Sequence, residues 1–504
     1  MSTGKSITKS ASVIGLATLI SRFLGFIRDV VIARVFGILP LAEAFVVSFK
    51  IPNLLRDFLG EGATNAAIVP VFSEYALRHS KEEFWELANV VLNLLLIILG
   101  IVTILGITFA PLIVRIIAPG FIANPEKLAM TVRLTRILFP YILLISLAAY
   151  AMGILNSLKH FSLPAFAPCL LNISLIVFAL IFGESMTTFS LGVMVGGVLQ
   201  LLVQIPVLYR RGFRLKPFRH LYHPQAVVIG RLMLPRLLST GIYQLNNFVD
   251  SIFGSLAFIV GEGGVAILYF SYRLIQFPLG IFANSLSQAI LPTLSEQALE
   301  DTHTGLKKTL SFGLRATMLV MLPATLGLMV LAQPIIAGLF ASKRFDAVAV
   351  KLTAQTLFFY SLGLFAYGAK KVIQAVFFAL RDTITPTKIA FVSLVINIIL
   401  NAILMFALKI AGLALATSMS GIVSFLLLFS ILKKRLKDFD TKDIRNTFWR
   451  ILVASLGMGG VCYIFKNLPL GIAVFFGILS YLVFCFLLRV KEIKDLFRWI
   501  LRKN

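Results

Sequence analysis

Two segments near the start of the chain carry pairs of basic residues inside apolar runs. In each segment a base is followed six residues later by a second base and then directly by an aspartate: Arg22, Arg28 and Asp29 in one, and Lys50, Arg56 and Asp57 in the other. On an ideal helix, Arg22 and Asp29 lie about 20° apart, while Arg28 lies roughly 120° away. Gly25 and Pro52 are residue types that bend helices and would let these bases converge.

Such bases point to an anionic ligand. A buried arginine or lysine costs about 2.5–3.5 kcal/mol in the middle of a bilayer, so these side chains should face a water-filled cavity. Asp29 and Asp57 neutralise Arg28 and Arg56 in an alternative interpretation, but Lys50 has no acid in obvious local reach. A guanidinium matches phosphate oxygens in charge and shape, and the sequence therefore predicts a phosphorylated cargo.

A second polar group lies in the C-terminal half of the chain. It consists of Asp250, Asn397, Asn401 and Thr417, whose oxygen atoms suit a small cation such as sodium. Asn397 and Asn401 are four residues apart and share one helix face. The alternative is that these side chains form hydrogen bonds between helices. Sodium is the one cofactor that the sequence suggests.

The composition indicates which kind of protein must position these residues. Of 504 residues, 59% are hydrophobic and 14% are charged, and the mean hydropathy is +0.93. A soluble chain carries about 25% charged residues, which excludes a soluble enzyme. The formal net charge of +25 does not indicate nucleic acid, because the bases are placed as a membrane topology requires. The three cysteines, Cys169, Cys462 and Cys485, have neither paired spacing nor a histidine nearby.

The sequence predicts an all-α, polytopic membrane protein with fourteen transmembrane helices. Each needs about 20 apolar residues. The predicted spans are 11–36, 41–72, 88–114, 130–156, 163–183, 189–209, 226–259, 264–292, 309–339, 350–379, 386–408, 411–432, 448–465 and 469–488. Most basic residues fall on the side that holds both termini, which places both termini in the cytoplasm. The first apolar run is interrupted by Arg22 and is interpreted as a retained span.

The chain also contains an internal repeat with an offset of 222 residues. Residues 67–74 (AIVPVFSE) match 289–296 (AILPTLSE), and residues 158–164 (LKHFSLP) match 380–386 (LRDTITP). Each copy holds six predicted spans, an even number, so the two copies have the same orientation. Parallel repeats of this kind are typical of transporters and predict a central cationic cavity between them.

The repeat defines the predicted domains. Residues 1–215 form an N-terminal six-helix lobe, and residues 216–440 form a C-terminal six-helix lobe. Residues 441–504 hold the last two helices and a cytoplasmic tail, which lie outside the duplication.

Three long segments resemble the lipid II flippase family (MurJ, or MviN) of the multidrug/oligosaccharidyl-lipid/polysaccharide exporter superfamily. They are ISRFLGFIRDVVIARVFG, FKIPNLLRDFLGEGATNAAIVPVFSEY and FPYILLISLAAYAMGILNSLKHFSLPAFAPCLLNIS. The resemblance implies transport of lipid II, an undecaprenyl-diphosphate-linked peptidoglycan precursor, from the inner to the outer leaflet of the bacterial cytoplasmic membrane. It implies alternating access, a role in cell wall synthesis, and contacts with other cell-wall synthesis proteins. The chain would be a transporter and not an enzyme.

The resemblance also assigns roles to individual residues. The essential cavity arginines of the family correspond to Arg22, Arg28, Arg56 and Arg273, and the last of these occupies the place in the second repeat that Lys50 has in the first. Glu43 is the acidic position of the second span, and Glu61 is the glutamate of an EGA motif. The last two helices are expected to form a groove for the lipid tail. Gln276 and Asn401 are neutral where relatives can have an acid.

Three other functions are compatible with a polytopic membrane protein. A multidrug exporter of the related MATE type would need an acidic cavity for cationic drugs, whereas the bases here give the opposite charge. A flippase for another polyprenyl-linked saccharide would need the same arginines. A membrane-embedded transferase acting on a polyprenyl phosphate would usually need carboxylates that bind Mg²⁺, and the sequence has no DDxxD-like run.

Overall fold

The all-α prediction is confirmed in the described part of the chain, where all regular structure is helical. The computed structural model describes residues 2–56, 67–183, 185–216, 221–300, 302–437 and 439–493, with side chains at all of these except 2–12, 51, 55, 56 and 234–243. Ten helical segments among them are long and apolar enough to cross a membrane. The number fourteen stays a prediction.

The chain divides into two compact units, residues 1–258 and 259–504. The first unit contains α1 (Ser2–Phe36), α2 (Pro40–Arg56), α3 (Val69–Arg78), α4 (Lys81–Thr108), α5 (Ala110–Ile117), α6 (Pro125–Leu138), α7 (Tyr141–Ser157), α8 (Ser162–Phe182), α9 (Met186–Leu202), α10 (Ile205–Arg211) and α11 (Pro224–Gly254). A short 3-10 turn, Pro119–Ala123, joins α5 to α6. Helix α8 packs against α1 and α9, and α2 packs against α6.

Helix α11 belongs to the first unit by its contacts, although the repeat assigns it to the second lobe. It packs against α4, α5 and the 3-10 turn. The amide of Gly120 donates to the hydroxyl of Ser255 (3.0 Å) just after the end of α11. A Cβ at position 120 would lie 1.9 Å from the carbonyl oxygen of Ser255, so only glycine permits this approach. The contact boundary therefore falls about forty residues after the predicted lobe boundary, which stays a prediction.

The second unit follows α12 (Ala257–Val260), which lies at the division. It contains α13 (Gly264–Pro278), α14 (Asn284–Gln297), α15 (Thr304–Val330), α16 (Ala332–Phe340), α17 (Ala347–Leu362), α18 (Leu364–Ala379), α19 (Ile384–Arg435), α20 (Thr441–Phe465) and α21 (Leu470–Leu487). Lys409 has non-helical angles (φ 53°, ψ −133°) and breaks the 52 residues of α19 into two helices. Helices α20 and α21 share one core with α15 and α18.

Two turns at equivalent places in the repeat have the same backbone geometry. Lys159, between α7 and α8, and Arg381, between α18 and α19, have φ of 59° and 57° and lie 222 residues apart (381 − 159). In each turn the next amide, of His160 or Asp382, bonds a carbonyl five residues earlier at 2.8 Å. This is the Schellman pattern of helix ends, usually made by glycine. Its recurrence supports the internal duplication.

Polar caps fix where several helices begin. Ser80 accepts from the amide of Glu83 at the start of α4, and Asn124 accepts from the amide of Lys127 at the start of α6. Asp346 accepts in the same way from Ala349 at the start of α17 (2.8 Å). Each cap satisfies an amide that has no partner within its helix. These three caps therefore define where α4, α6 and α17 begin.

Candidate functional site

Arg28 is held rigidly between α1 and α8. It is 7% exposed, and Nε and Nη2 donate to Oδ1 of Asp29 at 3.0 and 2.7 Å. Nη1 donates to Oδ1 of Asn172 on α8 at 3.0 Å. Three of the five N–H groups of the guanidinium are therefore used by these partners. Asp29 pairs with Arg28, as in the alternative interpretation of the sequence. Two N–H groups of the guanidinium remain available to a ligand.

Arg22 lies on α1 six residues before Arg28 and is partly buried. Neither a hydrogen bond nor an ion pair connects its side chain to any other residue that the structure describes. The neighbouring backbone is fixed, because Nδ2 of Asn172 donates to the carbonyl of Ser21 at 3.0 Å. Asn172 thus bonds both the side chain of Arg28 and the backbone next to Arg22, and sequence reasoning did not single it out.

Glu43 is paired with a lysine that sequence reasoning assigned to a loop. Glu43 on α2 is 2% exposed, Lys127 in the first turn of α6 is 7% exposed, and their side chains form an ion pair. The ammonium also lies 4.0 Å from the ring centre of Phe121. A signal was present in the sequence, since Lys127, Thr131 and Thr135 follow at intervals of four and form a polar stripe on α6 that is buried.

Lys50 connects α2 to α11. Its ammonium donates to the backbone carbonyl of Asn247 and to the hydroxyl of Ser251, and lies 5.9 Å from the ring centre of Phe248. These three residues flank Asp250, the acidic member of the predicted sodium site. The structure therefore brings together two predicted site residues that the sequence assigned to different functions.

Two of the predicted site residues cannot be placed. Arg56 is the last residue of α2, and its side chain lies outside the described residues, as does Glu61 entirely. Their assignment stays a prediction that follows from the resemblance.

Arg273 on α13 belongs to the second unit and has neutral partners on its own helix. Nη1 donates to Oε1 of Gln276 (3.0 Å), and Nη2 donates to the hydroxyl of Tyr269 (3.1 Å). The guanidinium carbon is 4.9 Å from the centre of the Tyr269 ring. Gln276 and Tyr269 orient the arginine without bringing a negative charge, which gives a physical role to the neutral residue at position 276.

The predicted sodium ligands of α19 bond to one another. Nδ2 of Asn401 donates to Oδ1 of Asn397, and Nδ2 of Asn397 donates to Oγ1 of Thr417, each at 3.1 Å. Thr417 lies beyond the break at Lys409, so these bonds join the two halves of α19. Asp250 belongs to the first unit. Within the described ranges, His, Cys, Asp and Glu residues form no group of three suited to a metal.

Comparison with known proteins gives consistent results over most of the chain. The sequence model of the family "Lipid II flippase MurJ" matches residues 32–483. A probable lipid II flippase MurJ of Buchnera aphidicola subsp. Acyrthosiphon pisum (strain APS) is 38% identical over 426 residues, which cover 84% of this chain and 83% of the relative. The lipid II flippase MurJ of Burkholderia cenocepacia is 34% identical over 426 residues, with coverage of 83% and 82%.

Solved structures give the same result for the fold. A lipid II flippase MurJ in an inward closed conformation superposes with a TM-score of 0.80 and 28% identity, covering 94% of this chain and 98% of that one. An inward-facing multidrug resistance MATE family transporter of the MOP superfamily superposes with a TM-score of 0.66 and 16% identity, covering 83% and 94%. The second similarity concerns the fold alone.

Proposed function

Because this chain belongs to the lipid II flippase MurJ family, we propose that it carries lipid II from the inner to the outer leaflet of the bacterial cytoplasmic membrane by alternating access. The observation that carries this proposal is the family match over residues 32–483. The chain is a multi-pass membrane transporter of the MOP superfamily. Lipid II is the precursor of peptidoglycan, so its transport is needed to build the cell wall and to maintain cell shape.

The diphosphate of lipid II is the group that needs the basic residues. Moving a bare charge through hydrocarbon costs tens of kcal/mol in the Born limit, whereas the polyprenyl tail can remain in lipid. Arg22 and the two unused N–H groups of Arg28 supply donors from α1. Arg56 adds a third arginine from α2. A fork of parallel donors suits the oxygens of a phosphate group.

Arg273 supplies the corresponding base from α13. Gln276 and Tyr269 hold its guanidinium in one orientation, which favours bidentate binding because less side-chain freedom is lost when the ligand binds. The ion pair of Glu43 with Lys127 keeps the second span rigid while adding no net charge. These assignments support a cargo with two phosphates over a cationic drug of the MATE class.

Lys50 is assigned to the conformational cycle. In this structure it bonds two groups of α11, and alternating access requires at least some such contacts to break when the transporter changes state. Asp250 is next to those contacts in sequence. Sodium bound by the carboxylate of Asp250 would act on the same helix.

The orientation follows from the distribution of basic residues. Both termini are assigned to the cytoplasm, because the cluster at 433–450 and the bases of residues 210–219 fall on their side of the membrane. Lipid II and the bilayer are the proposed partners, together with other proteins of cell-wall synthesis. Nucleic acid is not among them.

Complementation tests the proposal. Arg22→Ala, Arg28→Ala and Arg273→Ala should each fail to support growth of cells depleted of their own lipid II flippase, at membrane levels equal to those of the unmodified protein. Arg210→Ala, at the exposed end of α10, serves as the control and should support growth.

Lysine replacements refine this test. Arg28→Lys and Arg273→Lys should support growth partly, because an ammonium keeps the charge and loses the fork. Full growth with Arg273→Ala would exclude this arginine from the site. If depletion left lipid II evenly distributed between the leaflets, another polyprenyl-linked cargo would replace lipid II in the proposal.

A further inference from the structure

A groove lined by aromatic rings lies in the second unit, between α15, α18, α19 and α20. Its volume is about 590 Å³, within the usual range of ligand sites. Four rings form its walls: Phe365, Phe425, Phe429 and Phe448. Phe365 contacts Phe425 and Phe448, with ring centres 5.7 and 5.9 Å apart, so the walls hold one another in place. We call this cavity the aromatic groove.

The last two helices are expected to form a lipid-tail groove, and the aromatic groove is a different cavity. Helix α20 contributes Phe448 to it, whereas α21 contributes no lining residue among those described. On its other side α20 packs closely against α21. A Cβ at Gly477 of α21 would lie 2.6 Å from the sulfur of Cys462 on α20.

Three bases line one end of the aromatic groove: Lys433, Lys442 and Arg445. All three side chains are exposed, and in the described part of the chain no acid pairs with any of them. Asp443, which lies between Lys442 and Arg445 in the sequence, pairs with other bases. Asp443 pairs with Arg315 at 2.6 Å, and its other oxygen is 3.7 Å from Lys491.

The aromatic groove thus presents an apolar cavity with an uncompensated cationic end. The geometry points to a binding site for an anionic phospholipid of the surrounding bilayer, with its phosphate at Lys433, Lys442 and Arg445 and its acyl chains against the phenylalanine rings. Basic pockets between transmembrane helices on the cytoplasmic side recognise lipid headgroups by this combination. The inference goes beyond the proposed function, because the occupant stays in its leaflet and is not transported.

A phospholipid fits the aromatic groove better than the transported lipid does. The diphosphate of lipid II is assigned to arginines of α1, α2 and α13, and none of these lines the groove. Ordinary snorkelling of bases at helix ends would place their heads in water independently of one another. Here three bases from two helices line the same end of one cavity, and the adjacent aromatic surface suits acyl chains.

Native mass spectrometry of the purified full-length protein tests this inference. The probes are dioleoylphosphatidylglycerol and the zwitterionic dioleoylphosphatidylcholine. Each base near a phosphate contributes about fivefold in affinity, so the triple variant Lys433→Gln, Lys442→Gln and Arg445→Gln should lose on the order of 100-fold in binding of the anionic lipid. The matched control, Lys307→Gln, Lys308→Gln and Lys388→Gln, removes three bases outside the aromatic groove and should bind within twofold of the unmodified protein.

A second measurement reports on the acyl chains, and its first comparison leaves the three bases unchanged. Phe429→Trp places a fluorophore in the wall, and phosphatidylglycerol with brominated acyl chains should quench it more strongly than brominated phosphatidylcholine. Equal quenching by the two lipids, or an unchanged preference in the triple variant, would overturn the inference. Displacement of phosphatidylglycerol by equimolar undecaprenyl diphosphate would assign the groove to the transported lipid and overturn it as well. Both experiments measure lipid binding, so their results do not depend on whether the protein flips lipid II.

Discussion

At the scale of single residues, the two best-described arginines are held in different ways. Arg28 shares its guanidinium with a carboxylate, Asp29, whereas Arg273 donates to two neutral residues of its own helix, Gln276 and Tyr269. The sequence identified both arginines because charges are rare and costly in apolar runs. It did not identify Asn172, because an asparagine 144 residues away becomes a partner only when α1 and α8 pack together.

The bond from Arg28 to Asn172 gives a first prediction. Asn172→Leu removes the acceptor for Nη1 and the donor to Ser21, so Arg28 loses its orientation. Hydrogen bonds to charged groups contribute about 1.5–3 kcal/mol, which corresponds to roughly 10- to 100-fold weaker lipid II binding. Binding to the purified protein measures this. Ser174→Ala, which removes a bond from α8 to Gly192, is the control, and an equal loss there would indicate general damage to α8.

The pair of Glu43 and Lys127 gives a second prediction. Removing one partner of a buried ion pair leaves an unpaired charge and costs about 3–5 kcal/mol, whereas replacing both is often close to neutral. Glu43→Gln and Lys127→Met should each lower the thermal unfolding temperature in detergent, and the double variant should recover most of that loss. Additive losses would mean that the two side chains act independently.

At the scale of helices, the sequence predicted which segments are helical better than where each helix begins and ends. Apolar runs of about 20 residues indicate helices because a helix satisfies its backbone hydrogen bonds within the segment that crosses the bilayer. The break of α19 at Lys409 falls between the predicted spans 386–408 and 411–432. The short helix α3 and the 3-10 turn Pro119–Ala123 were not predicted, because brief changes of backbone direction leave little trace in hydropathy. The assignment of α11 to the first unit depends on packing alone.

The turn before α19 gives a prediction about pH. Burial raises the pKa of Asp382, but hydrogen bonds from Thr385 and Arg435 outweigh this and hold the pKa below its ordinary value. A lowered folded-state pKa stabilises the fold above the unfolded-state value, about 3.9, and this contribution is lost as pH falls through the folded-state pKa. Asp382→Ala should therefore lower stability by about 0.5–2 kcal/mol at pH 7.

Thermal unfolding between pH 7 and pH 3 measures this effect. The difference between the unmodified protein and Asp382→Ala should shrink at the acid end of this range. Glu296→Gln, an exposed acid of α14, should show no such difference. A gap of the same size at pH 3 would show that Asp382 acts through something other than its charge.

At the scale of the whole molecule, the repeat was visible in the sequence because a helical segment (67–74 and 289–296) and a turn (158–164 and 380–386) keep several residues in register. The role of the last two helices was harder to predict. Ile451 and Met458 of α20 and Cys485 of α21 belong to the same core as Leu314 of α15. Truncation after residue 440 would therefore expose that core, and it would also remove the expected groove for the lipid tail. Substitutions at the surface of α20 separate the two effects better than truncation does.

The transport cycle itself gives the last prediction. The diphosphate of lipid II carries about two negative charges, and each gains about 2.3 kcal/mol per 100 mV on moving outward across an inside-negative membrane. Two charges gain about 4.6 kcal/mol, which is sufficient to bias transport outward without a coupled ion. The empty carrier then returns its basic residues toward the negative interior, which the same field favours, so the potential acts on both half-cycles. Collapsing the membrane potential should stop flipping, and collapsing the pH gradient alone should not.

Proteoliposomes with a potassium diffusion potential allow the two gradients to be set separately. Valinomycin with equal potassium on both sides removes the potential, and nigericin removes the pH gradient. A sodium requirement that persists at fixed potential and disappears in Asp250→Ala would contradict this prediction. Coupling would then run through α11, whose contacts with Lys50 flank Asp250. In that case sodium, by changing the charge beside Lys50, would control when α2 and α11 separate.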